Sequence, residues 1–154
     1  MKIPVKLKVN GEIYDVAIAP YRTLVDVLRE EIHLTGTKKG CDVGDCGACT
    51  VLLDGKAVNA CLILAATVQE AEITTIEGLA QNGKLHPLQE AFIKEGAVQC
   101  GFCVPGVLMS LKALWDSNPN PTLEEAKTAM AGNLCRCTGY TKMFKAVEAA
   151  THRS

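Results

Sequence analysis

The sequence lacks the local signatures of the common nucleotide-binding folds. It contains neither a G-x-G-x-x-G loop after a strand nor a G-x-x-x-x-G-K-[ST] phosphate loop. Histidine is scarce, and His33, His86 and His152 are scattered without a partner pattern. His86 precedes a proline, which predicts the start of a helix there. The residues therefore give no indication of a nucleotide site or of a histidine-based catalytic site.

Long apolar runs and an excess of one charge sign are also missing. No run of roughly 18 apolar residues could span a bilayer, and the N-terminus MKIPVKLKVNGEIYDV does not have the pattern of a signal peptide. Charged residues make up 21% of the chain and the net charge is −1, which disfavours disorder and a nucleic-acid surface. We therefore predict a cytoplasmic protein with no membrane span and no nucleic-acid partner. In the cytoplasm, clustered cysteines bind metal more often than they form disulfides.

Alternating apolar residues predict strands in the first half of the chain. The dipeptides Asn10-Gly11 and Asp54-Gly55 are strong signals for the turns of two hairpins. Between the hairpins, Thr23 can cap a helix whose apolar face continues to Ile32. The predicted strands cover residues 3–9, 14–18, 50–53, 56–61 and 72–76. Two hairpins around one helix predict an α+β arrangement.

Helical signals dominate the second half. Pro105 suits a first helical turn, and Thr122 with Glu125 forms a capping-box pattern. The predicted helices cover residues 87–95, 104–117, 122–130 and 140–150. Short helices joined by short loops indicate a small bundle. We predict one domain over residues 1–77, a second over 86–154, and a linker over 78–85.

Four of the eight cysteines lie close together in the first half. Cys41, Cys46 and Cys49 have the spacing C-x4-C-x2-C, and Cys61 follows. This is the spacing of plant-type [2Fe–2S] ferredoxins. Unrelated buried cysteines and a structural zinc site are the alternatives, but zinc sites usually pair two C-x2-C motifs. The spacing therefore predicts a [2Fe–2S] cluster in the first domain.

The other four cysteines are less diagnostic. Cys100, Cys103, Cys135 and Cys137 form C-x2-C followed by C-x-C, a spacing that leaves zinc open. Both pairs precede predicted helices, and the partial positive charge of helix N-termini suits an anionic thiolate cluster. The residues alone predict a second metal site without settling its metal.

The motifs GCDVGDCGACTVLLDG, AVQCGFCVPGVLMS and GNLCRCTGY together resemble the small iron–sulfur subunit of the molybdenum hydroxylases. This family includes xanthine dehydrogenase, aldehyde oxidoreductase and carbon monoxide dehydrogenase relatives. The resemblance covers nearly the whole chain, and all eight cysteines match. It implies a plant-ferredoxin-like β-grasp domain followed by a C-terminal four-helix bundle, with one [2Fe–2S] cluster in each.

The resemblance also implies partners and contacts. A large subunit would hold a molybdopterin-type molybdenum cofactor beside the second cluster, and a medium subunit would hold FAD nearer the first, in a heterotrimer or a dimer of heterotrimers. Gln99 and Cys137 would contact the pterin. Phe102 is our candidate for a contact with a partner.

The predicted function is an electron relay between the molybdenum cofactor and FAD. At 154 residues the chain has no room for a molybdenum or flavin domain of its own, so it would act as the electron-transfer subunit of an oxidoreductase without a substrate site. The alternatives are a free ferredoxin-type electron shuttle and a structural zinc module. The substrate pocket of the complex would lie in another chain, so this sequence does not identify the substrate, the electron acceptor or the copy number of the assembly.

Overall fold

A five-stranded mixed sheet forms the N-terminal half of the computed structural model, which describes residues 1–151. The strands are β1 (Ile3–Val9), β2 (Glu12–Ile18), β3 (Thr50–Leu53), β4 (Lys56–Asn59) and β5 (Glu72–Thr74). They lie in the order β2-β1-β5-β3-β4. The β1–β5 pair is parallel, while the other neighbours are antiparallel. The predicted hairpins are confirmed as β1–β2 and β3–β4.

The predicted helix between the hairpins starts at its predicted cap. The Thr23 hydroxyl accepts a hydrogen bond from the backbone N–H of Asp26 at 3.4 Å. The helix begins as a short α-helical turn, α1 (Leu24–Asp26), and continues as a wider π-helical turn over Val27–Glu31. Its apolar side chains are fully buried in the core beneath the sheet. The apolar spacing therefore predicted a helix at this position, but it did not distinguish a π-helical turn from an α-helical one.

Two predicted strands are shorter than the sequence suggests. The return strand β4 ends at Asn59 because Ala60–Leu62 forms a 3₁₀ turn. The last strand β5 ends at Thr74 because another 3₁₀ turn follows over Ile76–Gly78. The first correction matters for the site, since it moves Cys61 from a strand into a tight turn.

Four longer helices form the C-terminal half. They are α2 (Pro87–Lys94), α3 (Val104–Ser117), α4 (Leu123–Met130) and α5 (Thr141–Thr151). The predicted capping box at Thr122 is confirmed, and His86 forms a second one with Gln89. Helix α5 starts one residue later than predicted, because Tyr140 has a positive φ of 65°. His152 lies outside the described residues.

Two hydrophobic cores meet at β3. Val51 belongs to the core between the sheet and α1, while its neighbour Leu52 belongs to the core shared by the four C-terminal helices. Because successive side chains of a strand point to opposite faces, β3 is covered on both sides. Within residues 1–151, no helix is both long enough and apolar enough to cross a membrane.

A backbone contact joins the two halves beside β3. A Cβ atom on Gly106 of α3 would lie 2.3 Å from the carbonyl oxygen of Gly47. A Cβ atom on Gly47 would lie 2.2 Å from the carbonyl oxygen of Gly132. Glycine at both positions therefore permits a closer approach of the chains than any side chain would allow.

This contact predicts that Gly106→Ala destabilises the protein. Gly106 lies in the first turn of α3, and within a helix the change from glycine to alanine is normally favourable, by up to about 1 kcal/mol. Here the new methyl group meets backbone, and overpacking of this kind costs about 1–3 kcal/mol. We expect a lower midpoint of thermal unfolding, measured by circular dichroism on the full chain.

Gly132→Ala is the matched control. A Cβ atom at Gly132 has no neighbour within 4 Å, and its φ is not in the left-handed region. We expect its stability to stay within about 0.5 kcal/mol of the wild type. Equal midpoints for the two variants would contradict the proposed close contact.

Candidate metal centres

The first group of thiols lies where the glycine-rich loop meets the turn after β4. Cys41, Cys46 and Cys49 lie on the irregular chain between α1 and β3, and Cys61 lies in the 3₁₀ turn that follows β4. Cys49 and Cys61 are buried, while Cys41 and Cys46 are half-buried. The turn thus brings the fourth thiol to the loop that carries the other three.

Within this group the thiols interact as two pairs. The Cys46 side chain is close enough to that of Cys41 to lower its pKa, and the Cys61 side chain is close enough to that of Cys49 to raise its pKa. A weaker electrostatic interaction between Cys46 and Cys49 links the pairs. Burial raises the pKa of Cys49 to about 11. A metal at this position would have to displace the proton of that buried thiol.

The loop backbone surrounds the Cys41 sulfur with donors. The N–H groups of Val43, Asp45 and Cys46 lie 3.5, 3.3 and 3.3 Å from Sγ. These hydrogen bonds, led by that of Val43, lower the pKa of Cys41 to about 7. Gly44, with a φ of 83°, lets the chain curl so that the N–H groups converge. The loop is therefore built to stabilise a thiolate.

The second group also divides into two pairs. The Cys135 side chain is close enough to that of Cys103 to raise its pKa, and Cys100 acts in the same way on Cys137; weaker electrostatic interactions link Cys103 to Cys100 and Cys137 to Cys135. Cys103 is buried at the N-cap of α3, whereas Cys100 and Cys137 are exposed. Burial raises the pKa of Cys103 to about 12. One pair therefore consists of a buried and a half-buried thiol, and the other pair opens to the surface.

Thr138 and Tyr140 hold the loop that carries Cys135. The Thr138 hydroxyl lies 3.1 Å and its backbone nitrogen 3.4 Å from the Cys135 sulfur. The Tyr140 hydroxyl accepts from the N–H of Cys135 at 2.8 Å and donates to the carbonyl of Asn133 at 3.0 Å. Burial alone would raise the pKa of Cys135, but the hydrogen bonds led by those of Thr138 bring it below its ordinary value.

Hydrogen bonds fix the two groups relative to each other. The N–H of Leu134 donates to the carbonyl of Cys46 at 2.9 Å. The buried amide of Asn133 donates to the carbonyl of Gly47 at 3.0 Å and lies 3.3 Å from the hydroxyl of Thr50. The loop of the second group thus contacts the loop of the first directly.

The paired arrangement fits two metal atoms better than one. A single tetrahedral zinc, with Zn–S bonds of about 2.3 Å, would hold all four sulfurs within about 3.8 Å of one another. Among residues 1–151, no three His, Cys, Asp or Glu side chains converge closely enough to hold one metal ion. In a [2Fe–2S] cluster four thiolates are shared between two irons, and two pairs of thiols match that requirement.

The remaining predicted site residues lie beside the second group. Gln99 is exposed next to Cys100, and Phe102 is 46% exposed between Cys100 and Cys103. The Phe102 ring also approaches the first group, since a Cβ atom on Gly40 would lie 3.4 Å from Phe102 Cε1 and 2.8 Å from Cys46 Sγ. Sequence reasoning missed the role of Tyr140, although the residue lies in the motif GNLCRCTGY.

Two family models match the chain. A 2Fe-2S iron-sulfur cluster binding domain matches residues 7–82, and a [2Fe-2S] binding domain matches residues 75–148. The first match contains all of the first thiol group, and the second contains all of the second.

Individual relatives match over nearly their full length. The nicotinate dehydrogenase small FeS subunit of Eubacterium barkeri is 49% identical over 152 residues, covering 99% of this chain and 97% of that protein. The nicotine 6-hydroxylase small subunit of Paenarthrobacter nicotinovorans is 50% identical over 146 residues, covering 95% and 88%.

Solved structures have the same fold. A chain of quinoline 2-oxidoreductase from Pseudomonas putida 86 has a TM-score of 0.93 and 40% identity, with 98% of this chain and 94% of that chain covered. The aldehyde oxidoreductase from Desulfovibrio desulfuricans has a TM-score of 0.91 and 47% identity. It matches 96% of this chain, which corresponds to 17% of that longer chain.

The Tyr140 contacts predict that Tyr140→Phe loosens the loop of the second group. The variant removes one hydroxyl that serves both an N–H and a carbonyl, and an unsatisfied polar group costs about 1–3 kcal/mol. We expect faster hydrogen–deuterium exchange over residues 133–140, measured by mass spectrometry. Tyr21→Phe is the control, because Tyr21 is 77% exposed. Unchanged exchange in Tyr140→Phe would show that the hydroxyl does not hold the loop.

Proposed function

The chain belongs to the small iron–sulfur subunits of the molybdenum hydroxylase family, and from this premise we propose which residues and partners carry its electrons. As a member of that family it is the electron-transfer subunit of an oxidoreductase complex and binds [2Fe–2S] clusters. The observation that carries the residue assignment is the division of each thiol group into two interacting pairs.

We assign all eight cysteines as cluster ligands. Each [2Fe–2S] cluster, when bound, accepts and releases one electron at a time. In the N-terminal half, the assigned ligands are Cys41, Cys46, Cys49 and Cys61. In the C-terminal half, they are Cys100, Cys103, Cys135 and Cys137.

The chain's own residues balance the negative charge of these thiolates. Backbone N–H groups do so at Cys41, and Thr138 does so at Cys135. Burial of Cys49, Cys61 and Cys103 keeps water from the inner side of each site.

The partners we propose are a large subunit with a molybdopterin-type cofactor and a medium subunit with FAD. The large subunit would cover the exposed Cys100 and Cys137, where Gln99 and Cys137 would contact the pterin. The medium subunit would approach the first group, whose rim carries the exposed Val43 and Leu62. We propose a heterotrimer or a dimer of heterotrimers in the cytoplasm.

The architecture we propose follows the family. The sheet and α1 would form a plant-ferredoxin-like β-grasp domain over residues 1–77, and the four C-terminal helices a four-helix bundle over residues 86–154, joined by a linker over 78–85. Support comes from the α+β arrangement and from separate cores on the two sides of β3.

A free electron shuttle is the weaker alternative. The relatives of nearly equal length are named as small subunits, and one longer oxidoreductase chain contains a region equivalent to almost all of this chain. These matches favour a role inside a larger enzyme.

Cysteine variants test the ligand assignment. The wild-type chain should contain about four irons and four acid-labile sulfides, and dithionite reduction should give two distinct [2Fe–2S] EPR signals. Cys103→Ala should lower both contents to about two and remove one signal, because one iron loses a thiolate. Cys49→Ala serves as the reciprocal control and should remove the other signal. Loss of the same signal in both variants, or zinc in place of iron, would refute the assignment.

Affinity purification of the tagged chain from its native cells tests the partners. We expect a large chain carrying molybdenum and a medium chain carrying FAD to co-purify, detected by mass spectrometry, metal analysis and the flavin spectrum. Recovery of the loaded chain by itself would favour the shuttle.

A further inference from the structure

A side-chain hydroxyl contacts one of the assigned ligand sulfurs. Thr138 Oγ1 lies 3.1 Å from Cys135 Sγ, and the backbone N–H of Thr138 lies 3.4 Å from the same sulfur. Apart from the neighbouring thiol of Cys46, the corresponding donors to Cys41 in the first group are backbone N–H groups. The contact at Cys135 can therefore be removed by substitution, whereas the backbone contacts at Cys41 cannot.

The direction of this hydrogen bond follows from its surroundings. The N–H of Tyr140 donates to Thr138 Oγ1 at 3.1 Å, which occupies one lone pair of the oxygen. A cysteine that binds iron is a thiolate and has no proton to give. The Thr138 hydroxyl must therefore donate its own hydrogen to the sulfur.

Neighbouring contacts hold Thr138 in this position. The Tyr140 hydroxyl bridges Asn133 and Cys135, and its ring stacks on Phe144 with a centroid distance of 6.1 Å. Cys135 is only partly exposed, so water competes weakly for its sulfur. The hydroxyl is thus already within hydrogen-bond distance of the sulfur before reduction adds negative charge to a bound cluster.

A donor to a cluster sulfur favours the state with more negative charge. An oxidised [2Fe–2S] cluster with four thiolates carries a charge of about −2, and one-electron reduction makes it about −3. Hydrogen bonds to the sulfurs stabilise the reduced state more strongly and raise the reduction potential.

We propose that Thr138 sets the reduction potential of the C-terminal cluster through its hydroxyl bond to Cys135. Thr138 acts here as a positioning and tuning residue that does not bind the iron. The proposal rests on the proposed function, because it requires Cys135 to be a cluster ligand. Thr138 would thereby set the difference between the two cluster potentials and hence the energetics of electron transfer between them.

Thr138→Val tests the proposal, because valine keeps the shape of the side chain and the backbone N–H but lacks the hydroxyl. Dithionite titration followed by EPR should show a lower midpoint potential for the C-terminal signal. The N-terminal signal should be unchanged and provides an internal reference. Thr138→Ser is the matched control and should restore a potential close to the wild type.

The outcomes separate this proposal from the proposed function. A wild-type chain without a second [2Fe–2S] signal would refute the function itself. Two wild-type signals with unchanged potentials in Thr138→Val would refute only the role of Thr138. If Thr138→Val and Thr138→Ala both lose the C-terminal cluster, the hydroxyl is needed to hold the loop and the tuning proposal fails.

Discussion

The direct backbone contact between Gly47 and Gly106 is the constraint on which the arrangement of the two thiol groups depends. It brings the loop of the first group against the start of α3, which also carries Cys103 at its cap. Asn133 then bonds to Gly47 and Thr50, and Leu134 bonds to Cys46. Electron transfer requires short and constant distances, and a junction of backbone atoms provides them better than flexible side chains would.

The two groups use different means to stabilise thiolates. At Cys41 a loop with positive φ values directs three backbone N–H groups at one sulfur. At Cys135 a threonine contributes both of its donors, and a tyrosine holds the chain around it. Backbone donors are independent of residue type, whereas the threonine can be replaced in evolution. The hydroxyl donor to Cys135 is therefore one that a single side-chain substitution can remove without changing the backbone donors.

Local signals predicted most of the fold, and contacts distant in sequence account for the rest. The bounds of α3 and β3 match the prediction, because a proline, a cap or a turn dipeptide marks the ends of these elements. The wider turn in α1 and the placement of Cys61 depend on packing that apolar spacing does not specify. At the second site, cysteine spacing left zinc open, since the pairing of Cys103 with Cys135 requires two loops far apart in the chain to meet. The contacts of Asn133 with Gly47 and of Tyr140 with Cys135 were likewise not predictable from local sequence signals.

Exposure at the second group supports the proposed partner surface on this side of the chain. Cys100 and Cys137 face solvent, and Val98, Phe102 and Leu134 around them are each more than 40% exposed. Apolar side chains gain free energy when they are covered, and the exposed Arg136 between Cys135 and Cys137 adds a charge to the same rim. Water would also reach the outer side of a cluster with two exposed ligand sulfurs. The protein surroundings of such clusters normally exclude water. A partner surface that covers this rim would meet both requirements, and an electron donor or acceptor held by that partner would then lie next to the exposed pair of thiolates.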